Sequence, residues 1–258
     1  MKLLRNLVAA AAALVLASGL AVAKEWTNVR IGTEGAYPPF NFVDSNGELK
    51  GFDVDIAKAI CDKMKVSCEF VAQDWDGIIP ALLAGKYDAI IASMSITEER
   101  AKKVDFTDKY YNTPPKFVGR KDSGITETTP EALKGKVLGA QSSTIHANYL
   151  EKYYNDSEVK LYGTQDEANA DLASGRLDAI IADSVVLWEW TTKTEDGSCC
   201  DFLPGDHDDE EIFGKGAGIA VRKEDADLKA MLNKGLAEIL ADGTYQKIND
   251  QYFPFSIY

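Results

Sequence analysis

The sequence predicts an α/β protein of two similar lobes, each an open and largely parallel sheet flanked by helices. Two observations predict it. From Val29 onward, short β-like runs alternate with amphipathic helical stretches, the grammar of layered α/β proteins. In addition, Gly85-Lys86-Tyr87-Asp88-Ala89-Ile90-Ile91-Ala92-Ser93 returns as Gly175-Arg176-Leu177-Asp178-Ala179-Ile180-Ile181-Ala182-Asp183, 90 residues later. Helix end, glycine and buried strand is also a common local sequence, so the echo has that plainer origin as an alternative to duplicated lobes.

Along the chain, Lys2 and Arg5 precede an apolar run from Leu7 to Leu16 and a small-residue site, Ala21-Val22-Ala23. That order predicts a cleaved export signal over residues 1–23. The competing membrane anchor would need about 20 apolar residues, more than this run supplies. No cysteine lies near the cleavage site to accept a lipid. Removing the first 23 of 258 residues leaves 235, and loss of Lys2 and Arg5 takes the formal charge from −13 to −15.

The mature chain opens with a strand, Val29 to Gly32, then a Gly/Pro-rich turn, Glu34-Gly35-Ala36-Tyr37-Pro38-Pro39-Phe40, and a hairpin-like Asn46-Gly47. Val54, Ile56, Ala57, Ile60 and Met64 mark one face of a helix over about 53–65. Residues 68–72 read as a second strand, 75–83 as a helix closed by Gly85, and 88–92 as a third strand. Export brings an oxidising compartment, where Cys61 and Cys68 could bridge the end of the first helix to the next strand. Adjacent Cys199 and Cys200 could remain thiols or form a vicinal disulfide.

Composition excludes several functions. With 45% hydrophobic and 27% charged residues the chain is globular, and 28 Lys+Arg against 41 Asp+Glu leave no basic stripe for nucleic acid. Two histidines and four cysteines lack zinc-ligand spacing. The acidic run Asp206-His207-Asp208-Asp209-Glu210-Glu211 lacks the spaced ligands and glycine of a calcium loop and reads as a solvated loop. No cofactor or metal is expected.

The turn Glu34 to Phe40, the segment Gly51-Phe52-Asp53-Val54-Asp55-Ile56 and the run Ser93-Met94-Ser95-Ile96-Thr97-Glu98-Glu99-Arg100 together resemble the polar amino-acid-binding proteins of ABC importers. Gly135 to Gly139, the echo at Gly175 to Asp183 and Asp242-Gly243-Thr244-Tyr245 extend the resemblance over the mature chain. Within that family the chain is most similar to the lysine/arginine/ornithine and histidine receptors, which share a cysteine pair spaced like Cys61 and Cys68. The resemblance implies a two-lobe type II clamshell crossed twice by the chain, with a free amino acid in the cleft and an inner-membrane permease as partner. Crossings would fall near 112–114 and 214–216, leaving 24–112 with 216–258 in one lobe and 113–215 in the other. It also implies a periplasmic monomer without enzymatic activity.

A zwitterion needs a cation for its carboxylate and an anion for its ammonium. Arg100, after the helix-start signature Thr97-Glu98-Glu99, suits the first, since guanidinium binds carboxylate bidentately. The resemblance adds Ser93 and Ser95 around the α-carbon groups. Asp183, ending a buried run, suits the ammonium, with helix N-capping as its competing role. Ser143 and Thr144 precede a helix whose N–H groups can meet the carboxylate, or they simply cap it. In the resembled receptors Glu34 would face a cationic side chain, and Tyr37 and Trp75 would sandwich it. Asp53 is either a more distant acid or an N-cap.

Ala92, Ala140 and Ile145 depart from the resembled pattern, where a serine, a larger apolar residue and a polar residue are usual. They leave open which of arginine, lysine, ornithine or histidine is preferred, and a roomier wall at Ala140 could admit an opine. A second arginine for an opine's extra carboxylate is not recognisable. A dehydratase on the same scaffold is the enzymatic alternative, although neither histidine stands beside a recognisable nucleophile.

Overall fold

The computed structural model describes residues 25–258; the expected export signal at 1–23 lies outside the described residues. In chain order, β1 (Asn28–Thr33) is followed by a small antiparallel sheet of β2 (Ala36–Tyr37), β3 (Asn41–Val43) and β4 (Leu49–Lys50). Then come α1 (Phe52–Met64), β5 (Ser67–Ala72), a 3₁₀ turn at Trp75–Gly77, α2 (Ile78–Leu83), β6 (Ala89–Ile90), α3 (Glu98–Lys103) and β7 (Asp105–Tyr111). The second lobe holds β8 (Pro115–Arg120), β9 (Val137–Gln141), α4 (Ile145–Tyr153), β10 (Glu158–Tyr162), α5 (Gln165–Ala173), β11 (Ala179–Asp183), α6 (Ser184–Lys193), β12 (Cys200–Phe202) and α7 (Glu210–Phe213). The chain returns through β13 (Ala217–Val221) and ends in α8 (Ala226–Ala241) and α9 (Thr244–Tyr252).

The first lobe's sheet has the order β5-β1-β6-β13-β7 and the second β10-β9-β11-β8-β12. Four strands of each are mutually parallel. The exception in each is the fourth strand, β13 or β8, which is antiparallel to both neighbours. Each exception is the first strand that the chain forms after crossing from the other lobe.

The echo occupies the middle of both sheets, as β6 and β11. Gly85 and Gly175 follow α2 and α5 with φ of 75° and 76°, a left-handed conformation that glycine adopts without a Cβ penalty. Their N–H groups and those of Lys86 and Arg176 close matching Schellman-type turns onto the preceding helix. Asp88 then accepts the Arg30 N–H and Asp178 the Val137 N–H, each pinning the neighbouring strand. Beyond that, Ala89 and Ile91 face the core under α1, α8 and α9, while Ile90 and Ala92 face the core under α2. The same parity holds in the second lobe: Ala179 and Ile181 pack toward α4, Ile180 and Ala182 toward α5 and α6. Period-two alternation in a strand covered on both faces explains why each run is continuously apolar.

The apolar face of α1 is as expected, with Val54, Ile56, Ala57 and Ile60 buried, and Cys61 is joined to Cys68 on β5. Cys199 and Cys200 are joined to each other. The expected helix over 75–83 is broken into the 3₁₀ turn and α2, which leaves the Trp75 side chain at the inner edge of its lobe. The acidic run is not merely solvated: Asp209 caps α7 and accepts the Tyr153 hydroxyl at 2.5 Å, and His207 is held by Thr128 and Tyr149.

Candidate functional site

Parallel strands deliver their carboxyl ends to one edge of each sheet, and the two edges face each other. Glu34 follows β1, Ser93 follows β6, Gln141 ends β9 and Asp183 ends β11. Together with Tyr37, Trp75, Ala92, Ser95, Arg100, Thr144, Ile145 and His146 they line a narrow cleft between the lobes.

Among the described residues, four pairs of residues are joined by side-chain hydrogen bonds across the cleft. The Tyr37 hydroxyl donates to Asp183 Oδ2 at 2.9 Å, Gln141 Nε2 to Glu34 Oε1 at 2.5 Å, Trp75 Nε1 to the Ser143 carbonyl at 3.1 Å, and the Ser142 hydroxyl to Asp76 Oδ1 at 2.9 Å. Val185 and Val186 of α6 also join the first lobe's core. The lobes are therefore closed on each other.

Asp183 has two possible roles in the sequence, and its contacts distinguish them. Its side chain makes no capping bond to α6 and instead accepts from Tyr37 and, at 3.2 Å, from the Thr113 hydroxyl on the crossing segment. Burial raises its carboxyl to about 6 despite those donors. Burial likewise raises Glu34 to about 7 and lowers the Arg100 guanidinium to about 10. Arg100 Nη1 donates to the Ser95 carbonyl at 3.1 Å, its guanidinium lies 5.2 Å from the Trp75 ring centroid, and it forms no ion pair among the described residues. Two acids and one guanidinium thus converge with each disfavoured in its charged form, as in sites that take a ligand of opposite charges.

Local structure fixes these groups. Thr97 caps α3 by accepting the Arg100 N–H, which starts the helix and places the arginine in its first turn, lining the cleft. Ser93, in the left-handed region at φ 53°, is held by Asp53, which accepts its hydroxyl at 3.2 Å. Asp53 is neither an N-cap nor a lining residue: fully buried, it also accepts from Asn41 and Tyr110, and burial raises it to about 6. The Thr144 hydroxyl is spent on capping α4 and on the Gln141 carbonyl. Ser143 is exposed on the outside and contributes only its carbonyl, to Trp75.

Ala140 corrects the expectation of a roomy wall. It is fully buried in the second lobe's core, because alternation along β9 turns its side chain away while Gln141 turns toward the cleft. Ala92 and Ile145 do line the cleft. Gln141 and His146 were not singled out by sequence. Gln141 carries the same signal as Ser93 and Asp183, a polar residue ending a buried strand; His146 carries none, since only α4's placement brings it inward.

Fold and site together define a two-lobed, type II periplasmic-binding-protein clamshell closing on a small polar ligand. The chain matches the model of the bacterial extracellular solute-binding proteins, family 3, over residues 29–255 and belongs to that family. It is 45% identical to the L-arginine-binding protein of Pseudomonas aeruginosa over 89% of each chain. Identity to the histidine-binding periplasmic protein of Escherichia coli K12 is 41%, over 90% of this chain and 89% of that one. A solved ancestral arginine-binding protein bound to glutamine superposes with a TM-score of 0.82 at 39% identity, covering 90% of this chain and all of the other. Among the described residues no helix is long and apolar enough to cross a membrane.

Proposed function

We propose that this chain is the periplasmic substrate-binding component of an ABC amino-acid importer and captures a cationic L-amino acid without chemical turnover. It is exported behind a leader cleaved after residue 23, acts as a monomer, and hands its ligand to an inner-membrane permease. The lobes comprise 24–112 with 216–258, and 113–215.

The observation that carries this reading is the charge inventory of the cleft: among the described residues, Arg100 is its one cationic lining residue, and Glu34 and Asp183 are its two acids. A cationic amino acid has the complementary set, one carboxylate and two cations. Arg100 takes the α-carboxylate with the N-terminal amides of α4, Asp183 takes the α-ammonium, and Glu34 takes the distal cation between Tyr37 and Trp75. Ser93 and Ser95 supply further polar contacts near the α-carbon. An opine's additional carboxylate would face Asp183 without a second arginine, so the free amino acid fits better.

Closure follows from differential binding, because only the closed form presents residues of both lobes to one ligand. Thermal denaturation of ligand-stripped protein tests the ligand class. At 100 times Kd a ligand stabilises by about 2.7 kcal/mol, roughly 5–10 °C for a chain of this size. We expect such shifts with arginine, lysine, ornithine or histidine. A larger shift with octopine or nopaline would overturn the ligand class, and none with any amino acid would overturn the receptor function.

A further inference from the structure

We propose that His146 is a ligand-binding residue whose Nε2 accepts a hydrogen bond from the ligand's α-ammonium alongside Asp183. This rests on the function proposed above and adds a contact to it. His146 is the second residue of α4 and 4% exposed. Its Nε2 is a buried polar atom without a hydrogen-bond partner among the described residues. The other histidine offers a contrast, since both ring nitrogens of His207 are engaged, by Thr128 at 3.0 Å and Tyr149 at 3.1 Å.

The position of Nε2 indicates what it serves. It lies 3.9 Å from Asp183 Oδ1, beyond a direct hydrogen bond. Ser95, Ile145, His146 and Asp183 line both the ligand cleft and the broader groove along the crossing segments, so His146 and Asp183 stand where the two spaces adjoin. A nitrogen bearing several N–H groups at that junction reaches both acceptors at about 2.9 Å each, with somewhat bent geometry. An ammonium meets this requirement; a carboxylate or hydroxyl oxygen cannot donate to both. Burial and the nearby Arg100 charge lower the imidazole to about 3, so at neutral pH the ring is uncharged and one nitrogen keeps a lone pair. Phe213, with ring centroids 6.1 Å apart, packs against the imidazole.

Titration calorimetry with two ligands tests this: arginine, and 5-guanidinopentanoate, which is arginine without its α-ammonium. We expect His146→Leu to weaken arginine by about ten- to a hundredfold, the value of a hydrogen bond to a charged group, and to change 5-guanidinopentanoate by less than twofold. His146→Gln, whose carboxamide oxygen is an acceptor, should recover most of the loss. Equal weakening of both ligands, or an unchanged arginine affinity, would overturn the proposal. If wild-type protein bound the two ligands equally well, the ammonium pairing at Asp183 would fall together with the proposal. Nitrogen NMR of ¹⁵N-histidine-labelled wild-type protein gives a readout that does not require a stable variant. The Nε2 resonance should move on adding arginine and stay in place with the deamino analogue; a resonance unmoved by arginine would overturn the proposal.

Discussion

Asp183 is legible in sequence because an acid directly after four buried residues has to answer for its charge. What sequence leaves undecided is which group answers, and the structure supplies Tyr37 and Thr113 in place of a helix cap. Removing one member of a buried charge pair costs about 2–5 kcal/mol, so Asp183→Ala should weaken a cationic amino acid by at least thirtyfold in calorimetry. The raised acids also set a pH dependence. Glu34 at about 7 and Asp183 at about 6 must be ionised to hold cations, so ligand binding expels protons below those values. Affinity should be highest above pH 7 and fall as pH drops through 7 and then 6, approaching tenfold per pH unit for each group fully linked. An affinity flat from pH 8 to 5 would show that neither acid contacts a cation. Ala140 marks the limit at this scale: a one-residue difference in strand facing separates a core alanine from the cleft-lining Gln141, and facing is fixed only by the strand's neighbours.

At the scale of elements, α1 and the paired helix-glycine-strand units were readable because periodicity and glycine punctuation are local properties. The antiparallel β8 and β13 were not, since strand direction there depends on a chain arriving from another lobe. The break at Trp75–Gly77 was hidden for a similar reason, as the indole is drawn across to the Ser143 carbonyl. The disulfide between Cys61 and Cys68 closes a loop with a sequence separation of 7 between α1 and β5. Replacing both residues by alanine should cost about 2 kcal/mol through loop entropy, plus the packing of the buried Cys61. A lower chemical-denaturation midpoint with unchanged ligand ranking is the expected result.

At the scale of the whole molecule, the closed arrangement is held at its rim by Ser142 and Asp76, away from the charged groups of the cleft. An exposed hydrogen bond of this kind is worth about 0.5–1.5 kcal/mol. Asp76→Ala should therefore weaken all ligands by the same factor, about two- to tenfold, while small-angle scattering shows a more open ligand-free ensemble. A changed order of ligand preference would mean that Asp76 contacts ligand rather than latching the lobes. Lobe closure was foreseeable only from the resemblance, because no local pattern specifies which residue of one sheet edge meets which residue of the other.

The affinity of arginine relative to citrulline, measured by calorimetry on ligand-stripped protein at pH 8, tests the cationic specificity most directly. The two ligands match in length and share their α-carbon groups, and only arginine carries the distal charge that Glu34 would pair. We expect arginine to bind at least thirtyfold more tightly, the lower end of what a buried charge partner contributes. Equal binding of citrulline would contradict the assignment of Glu34 and, with it, the cationic class of ligand.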